Sequence, residues 1–144
     1  MAKLKPSLLA LLHRANQIAT ERFDRELGDR NLTPRQVQVL AALNVNEGAS
    51  QTQIVDVTGI DRSTLADIVR RLLKHGLVRR RRTKEDARAY AVHLTDDGRR
   101  TLAASLPVLE RLEKSLIAAL SVDTRAEFLG SLEHFVASND KPTS

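Results

Sequence analysis

The 144-residue chain is long enough for one compact domain or two small interleaved units. Apolar residues make up 42% of it but aromatics only 3%, so Leu, Ile, Val and Ala must do the packing. A net charge of +5 and a pI near 10.1 favour a polyanionic partner, the absence of cysteine excludes disulfides and thiol redox chemistry, and no apolar run approaches the roughly 20 residues of a membrane span.

Lys3 and Lys5 ahead of a short apolar run give the N-terminus a faint likeness to a signal peptide. The run breaks at His13-Arg14 and its periodicity continues, which reads as the mature helix of a soluble, cytoplasmic protein. Leu4, Leu8, Leu11, Leu12, Ala15, Ile18, Ala19, Phe23 and Leu27 recur at helical spacing and predict a first helix over 6–28, ended by Gly28. Arg22 and Glu26 lie beside this stripe, where a polar pair serves an intersubunit or i,i+4 contact. For Arg22 a ligand-facing role is the alternative.

Thr33 as N-cap and Pro34 in the first turn open a second helix with Val37, Leu40 and Ala41 on its core face, ended by Asn44 to Gly48. Ser50 and Gln53 form a capping box for a third helix over 51–58. Gly59-Ile60 makes a tight turn, and Asp61 caps a fourth helix that runs to about His75. Two short helices joined in this way form a helix-turn-helix unit.

The fourth helix is amphipathic. Leu65, Ile68, Val69 and Leu72 cluster on one side and Ser63, Asp67, Arg70 and Lys74 on the other, flanked by Thr64 and Arg71, with Arg62 at the edge. Between Arg62 and Arg88 the local balance is +7, so the remainder of the chain nets about −2. On an ordinary surface helix such a face is merely solvated. Here the helix-turn before it and the basic hairpin after it favour double-stranded DNA. Arg70 is the candidate fork onto guanine O6 and N7, with Asp67 orienting it or accepting from a cytosine amine. Ser63 and Thr64 at the helix start suit phosphate or base edges, and Arg71 and Lys74 suit phosphates.

After Gly76, Leu77-Val78 starts an extended run, and Tyr90 to Leu94 is its return arm, with Tyr90, Val92 and Leu94 alternating. This is a hairpin wing with a basic tip that includes Arg82, Lys84 and Arg88. Arg88 suits a narrow minor groove, and Asp86 supports the loop or Arg88 by a charged hydrogen bond. The alternative is a solvated hairpin whose charges only prevent edge pairing. Arg79 to Arg82 must alternate sides if the run is a strand, so they cannot all face DNA.

Thr95 caps a leucine-rich helix in which Pro107 is expected to produce a kink or a split. A last helix restarts at Ser121 to Asp123, with Phe128, Leu129, Leu132, Phe135 and Val136 on its apolar face, and the polar tail from Ser138 frays. Residues 1–32 and 99–144 thus read as helical dimerisation segments around a winged helix-turn-helix at 33–98. Stripes of this length cannot be buried on so small a centre, and a second copy related by two-fold symmetry is the simplest cover. Its two recognition helices would then meet half-sites roughly 34 Å apart.

The chain resembles the MarR family of bacterial transcription regulators. The resemblance rests on Leu32-Thr33-Pro34-Arg35-Gln36, Asp61-Arg62-Ser63-Thr64-Leu65, Leu72-Leu73-Lys74-His75-Gly76-Leu77-Val78, Asp86-Ala87-Arg88-Ala89 and Val92-His93-Leu94-Thr95-Asp96-Asp97-Gly98. It implies a mainly α fold with a small β-hairpin wing, assembled as an intertwined homodimer on a palindromic operator, usually as a repressor. It also implies release by a small anionic or phenolic ligand between the dimer helices and the DNA-binding lobe, for which Asn16, Arg22 and Asn44 are the pocket candidates. Without cysteine, the peroxide-sensing branch is excluded. His13, His75, His93 and His134 lack paired ligand spacing, so no metal site and no cofactor are expected. No nucleophile–base pairing, glycine-rich phosphate loop or metal motif suggests an enzyme. A sequence-tolerant, architectural DNA binder of the same fold without a ligand is the alternative.

Overall fold

The computed structural model describes residues 1–83 and 90–140. Six helices and a three-stranded antiparallel sheet follow in the order α1 (Leu8–Leu27), α2 (Pro34–Val45), β1 (Ala49–Ser50), α3 (Gln51–Thr58), α4 (Arg62–Lys74), β2 (Val78–Arg82), β3 (Tyr90–Leu94), α5 (Asp96–Ile117) and α6 (Val122–Asn139). Most helix starts are set by local capping. Ser7, Thr33, Ser50, Asp61 and Thr95 each accept a backbone N–H of the first turn, and Thr33–Gln36 and Ser50–Gln53 form complete capping boxes.

The first helix does not end on a glycine-specific conformation. Gly28 has φ −63° and opens a single 3-10 turn over Gly28–Arg30, and Asn31 at φ 55° is the left-handed residue that turns the chain. Asparagine tolerates that region, so the breaker lies three residues beyond the expected one. By contrast, α4 ends in a full Schellman motif. Gly76 at φ 70° donates to the Leu73 carbonyl and Leu77 to the Leu72 carbonyl, which returns Leu77 to the core edge.

The sheet runs in the order β1-β3-β2, with Val78 opposite Leu94 and Arg82 opposite Tyr90. Strand β1 escapes sequence reading because it is two residues long and pairs with a segment over forty positions away, Ala49 with Val92. Val92 and Leu94 are buried as their alternation predicts, but Tyr90 on the same face is exposed, beyond the reach of the core.

Pro107 neither splits the helix nor ends it: α5 is continuous over 22 residues. Pro107 and Ala103, whose carbonyl loses its donor, both lie on the exposed side, where solvent can take the place of the missing bond. The core joins Phe23 and Leu27 of α1, Leu40 and Leu43 of α2, Ile54 of α3, the stripe of α4, Val92 and Leu94 of β3, and Leu102 and Leu112 of α5. The N-terminal half of α1 and all of α6 contribute nothing to it. Leu8, Leu9, Leu11, Phe128, Leu129, Leu132 and Val136 are exposed.

The first turn of α5 is clasped to the exit of α4. The Thr95 hydroxyl donates to the Gly76 carbonyl at 2.6 Å, and the Thr95 N–H to the Leu77 carbonyl at 3.1 Å. Gly98 lies so close that a Cβ there would sit 2.0 Å from the Leu77 oxygen. Glycine is therefore dictated at 98 by space, since its φ is ordinary. Gly98→Ala is expected to lower unfolding free energy by about 2–3 kcal/mol, the scale of overpacking against backbone. Gly130→Ala on α6, where nothing lies within 4 Å, should be neutral or slightly stabilising. Urea denaturation followed by circular dichroism compares the two.

Candidate nucleic-acid interface

The rotation of α4 about its axis is fixed by Leu65, Ile68, Val69 and Leu72, all buried. Their burial turns Arg62, Ser63, Asp67, Arg70, Arg71 and Lys74 outward, while Thr64 is half-buried at the helix start. The sequence-derived reading face is therefore assembled on one exposed side. Two of its members already have acidic partners. Arg70 pairs with Asp67 one turn earlier, and the Ser63 hydroxyl donates to Asp61 Oδ2 at 2.8 Å. Both side chains of the Arg70–Asp67 pair are about two-thirds exposed, so the pair orients the guanidinium more than it stabilises the fold.

Asp61 is the hinge of this arrangement. Its carboxylate accepts the Thr64 N–H at 3.0 Å and the Ser63 hydroxyl. Hydrogen bonding from Thr64, side chain first and backbone second, and then from Ser63 lowers its pKa from 3.8 to about 2. An ionised cap at the positive end of a helix is favourable and keeps the first turn closed.

In the wing, antiparallel register places Val78, Arg80 and Arg82 on the face of Leu94, Val92 and Tyr90, and Arg79 and Arg81 on the other. The expected alternation of the arginine run is thus present. Where the core stops, two guanidinium groups lie over the Tyr90 ring, Arg82 at 5.8 Å and Arg80 at 6.0 Å from its centroid. Sequence reading gave this aromatic no role beyond the alternation of Tyr90, Val92 and Leu94. The available signal was its position opposite Arg82, but only a known register reveals it. Lys84, Asp86 and Arg88, the expected wing tip, lie outside the described residues.

Of the three ligand-pocket candidates, Asn16 is exposed on α1 and Asn44 is exposed near the end of α2. Arg22 is half-buried and donates from Nη1 to Ser115 Oγ at 3.1 Å, which ties α1 to α5 rather than to a neighbour on its own helix. It lines a cleft of about 420 Å³ with Arg25, Glu26, Val108, Arg111, Leu112 and Ser115. Among the described residues, Arg22, Arg25 and Arg111 have no carboxylate within 4.0 Å. Arg111 could not be found from sequence because nothing local links it to Arg22. A shallower depression of about 570 Å³ beside α3 is lined by Glu47 and Asp56 with no basic residue, and suits an anion poorly. Among the described residues no cluster of His, Asp or Glu could hold a metal ion, and no helix is long and apolar enough to cross a membrane.

Comparison with known proteins gives a consistent picture. The MarR family profile matches residues 30–89. The chain is 31% identical over 110 residues to the transcriptional regulator HosA of Escherichia coli O127:H6, covering 76% of this chain and 80% of that protein. It superposes on the PcaV transcriptional regulator of Streptomyces coelicolor in complex with its natural ligand with a TM-score of 0.89 and 29% identity, covering 98% of this chain and 100% of PcaV. It superposes on the transcriptional repressor CouR bound to a 23-mer DNA duplex with a TM-score of 0.84 and 33% identity, over 94% of this chain and 99% of that one.

The cap chemistry has a pH signature. The folded pKa of Asp61 is depressed, so its contribution is complete above about 3.8 and is lost as pH falls toward about 2. Compared with Asp61→Ala, the wild-type chain should unfold at higher urea from neutral pH down to about 3.8. The gap should narrow between there and pH 2. A pH series of urea midpoints tests this, and a gap that stays constant to pH 2 would refute it.

Proposed function

The chain belongs to the MarR family of transcriptional regulators, and from that premise we propose that it is a homodimeric, sequence-specific DNA-binding repressor released by a small anionic or aromatic ligand. The observation that carries the reading is α4: a helix locked by its buried stripe, presenting Ser63, Asp67 and Arg70 beside the phosphate-binding candidates Arg71 and Lys74. Arg70 reads guanine, Asp67 holds it and rejects wrong bases, and Arg62, Ser63 and Thr64 engage the groove edge or phosphate near the helix start. In the wing, Arg82 and Lys84 contact the flanking backbone, Arg88 at the tip enters the minor groove, and Asp86 supports that tip. Acting by binding rather than catalysis, and in the cytoplasm where the DNA is, the protein needs no cofactor.

Residues 33–98 form the DNA-binding lobe, and 1–32 with 99–144 form the dimerisation segments. The bare apolar faces of α1 and α6 support this, because exposed stripes of that extent are costly unless covered. A second copy covers both and sets the distance between two recognition helices. CouR is described on a DNA duplex and PcaV with its natural ligand. The Arg22, Arg25 and Arg111 cleft between α1 and α5 is where an anion would bias the dimer toward a spacing that misses successive major grooves.

Titration against a selected site and a scrambled duplex at fixed salt should show a preference of about 10³-fold or more, and equal affinities would instead indicate an architectural role. Arg70→Ala should cost about 1–3 kcal/mol and relax base preference, whereas Arg71→Ala should weaken all sequences alike and lower the salt slope by about one. In sedimentation, Leu132→Glu on the apolar face of α6 should shift the protein toward monomer. A variant that remains dimeric would remove α6 from the interface.

A further inference from the structure

Tyr90 is an aromatic residue that burial does not explain. It is 39% exposed, while Val92 and Leu94 on the same face are buried. It is also the only tyrosine of a chain without tryptophan. What it touches is charge: the guanidinium groups of Arg80 and Arg82 both lie within about 6 Å of its ring centroid. Alternate strand residues stand roughly 7 Å apart, so two like charges on one face repel and their long side chains would otherwise scatter. Among the described residues neither arginine has a carboxylate partner. The electron-rich ring is the counter-group that holds both without neutralising either.

We propose that Tyr90 is a positioning residue for DNA binding: its ring gathers Arg80 and Arg82 on one face of the wing and presents both charges already ordered. This rests on the DNA-binding reading above. A carboxylate in the same place would also order the arginines, but it would cancel the charge that a phosphate backbone needs. An aliphatic residue would leave them charged and unordered. An aromatic residue does both tasks, and the ordering cost is met before DNA arrives.

Because the tyrosine is unique, its ring resonances report on the wing alone. In the free protein, Arg80→Gln and Arg82→Gln should each shift the Tyr90 ring signals. On the selected duplex, Tyr90→Phe should bind within about twofold of wild type, and Tyr90→Leu about fivefold more weakly with an unchanged salt slope, since the charges remain. Arg82→Gln should instead lower the slope by about one. The inference is overturned if neither arginine substitution moves the ring signals, if Tyr90→Leu binds as wild type, or if Tyr90→Phe loses as much as Tyr90→Leu. Failure of the DNA reading is separate: wild-type protein would show no preference for the selected duplex while the ring signals still respond to the arginines. That result would remove the positioning role and leave the stack intact.

Discussion

The buried stripe of α4 is the constraint on which everything outward depends. Leu65, Val69 and Leu72 are essentially inaccessible and Ile68 nearly so. Each such side chain contributes on the order of 1.5–3 kcal/mol by leaving water. An exposed pair such as Arg70–Asp67 contributes at most about 1 kcal/mol. Apolar burial therefore decides how the helix is rotated, and the polar face follows as its complement. Helices α2 and α3 and strand β2 pack against this helix. They fix the rotation of the helix and with it the direction of its exposed face.

Much of this was readable from the chain because its signals are local. N-caps act within three residues, so Thr33, Ser50, Asp61 and Thr95 could be named, and each accepts the bond expected of it. The two faces of α4 follow from a period of 3.6 residues. Features that close over long distances were not readable. Strand β1 exists only through its pairing with β3, and Arg22 meets Ser115 across 93 positions. The setting of Tyr90 was not readable either, because alternation tells which face a residue takes, not how far along the strand the core extends. Pro107 shows the converse. The local rule against proline holds inside a helix surrounded by protein, and it relaxes where the orphaned carbonyl faces solvent.

The basic charge of the centre is not a uniform patch. On α4 the arginine at 70 is held by a carboxylate, which any phosphate must compete with. In the wing, Arg80 and Arg82 are held by a ring, which leaves their charge available. Arg79 and Arg81 point to the opposite face. Between α1 and α5, a third group of guanidinium ions lines a cleft together with Glu26, Val108, Leu112 and Ser115. The three settings have different electrostatic character although all are built from arginine. A carboxylate partner favours discrimination, a π partner favours undiminished attraction, and cations without a carboxylate within 4.0 Å among the described residues leave their charge free to attract an anion.

The clasp at Thr95 and Gly98 couples these regions mechanically. With the Leu77 carbonyl pressed against the first turn of α5 and Thr95 bonded to both Gly76 and Leu77, no slack exists between that helix and the end of α4. Helix α5 is about 33 Å long at 1.5 Å per residue, and its far half carries Arg111 and Ser115. Its first turn is clasped at the exit of α4. A tilt of a few degrees moves its distal end by one or two ångströms, comparable to the adjustments made by packed helices, and the same tilt in reverse turns the clasped end of α4 with it. Along that one continuous helix the cleft lining and the exit of α4 are geometrically linked.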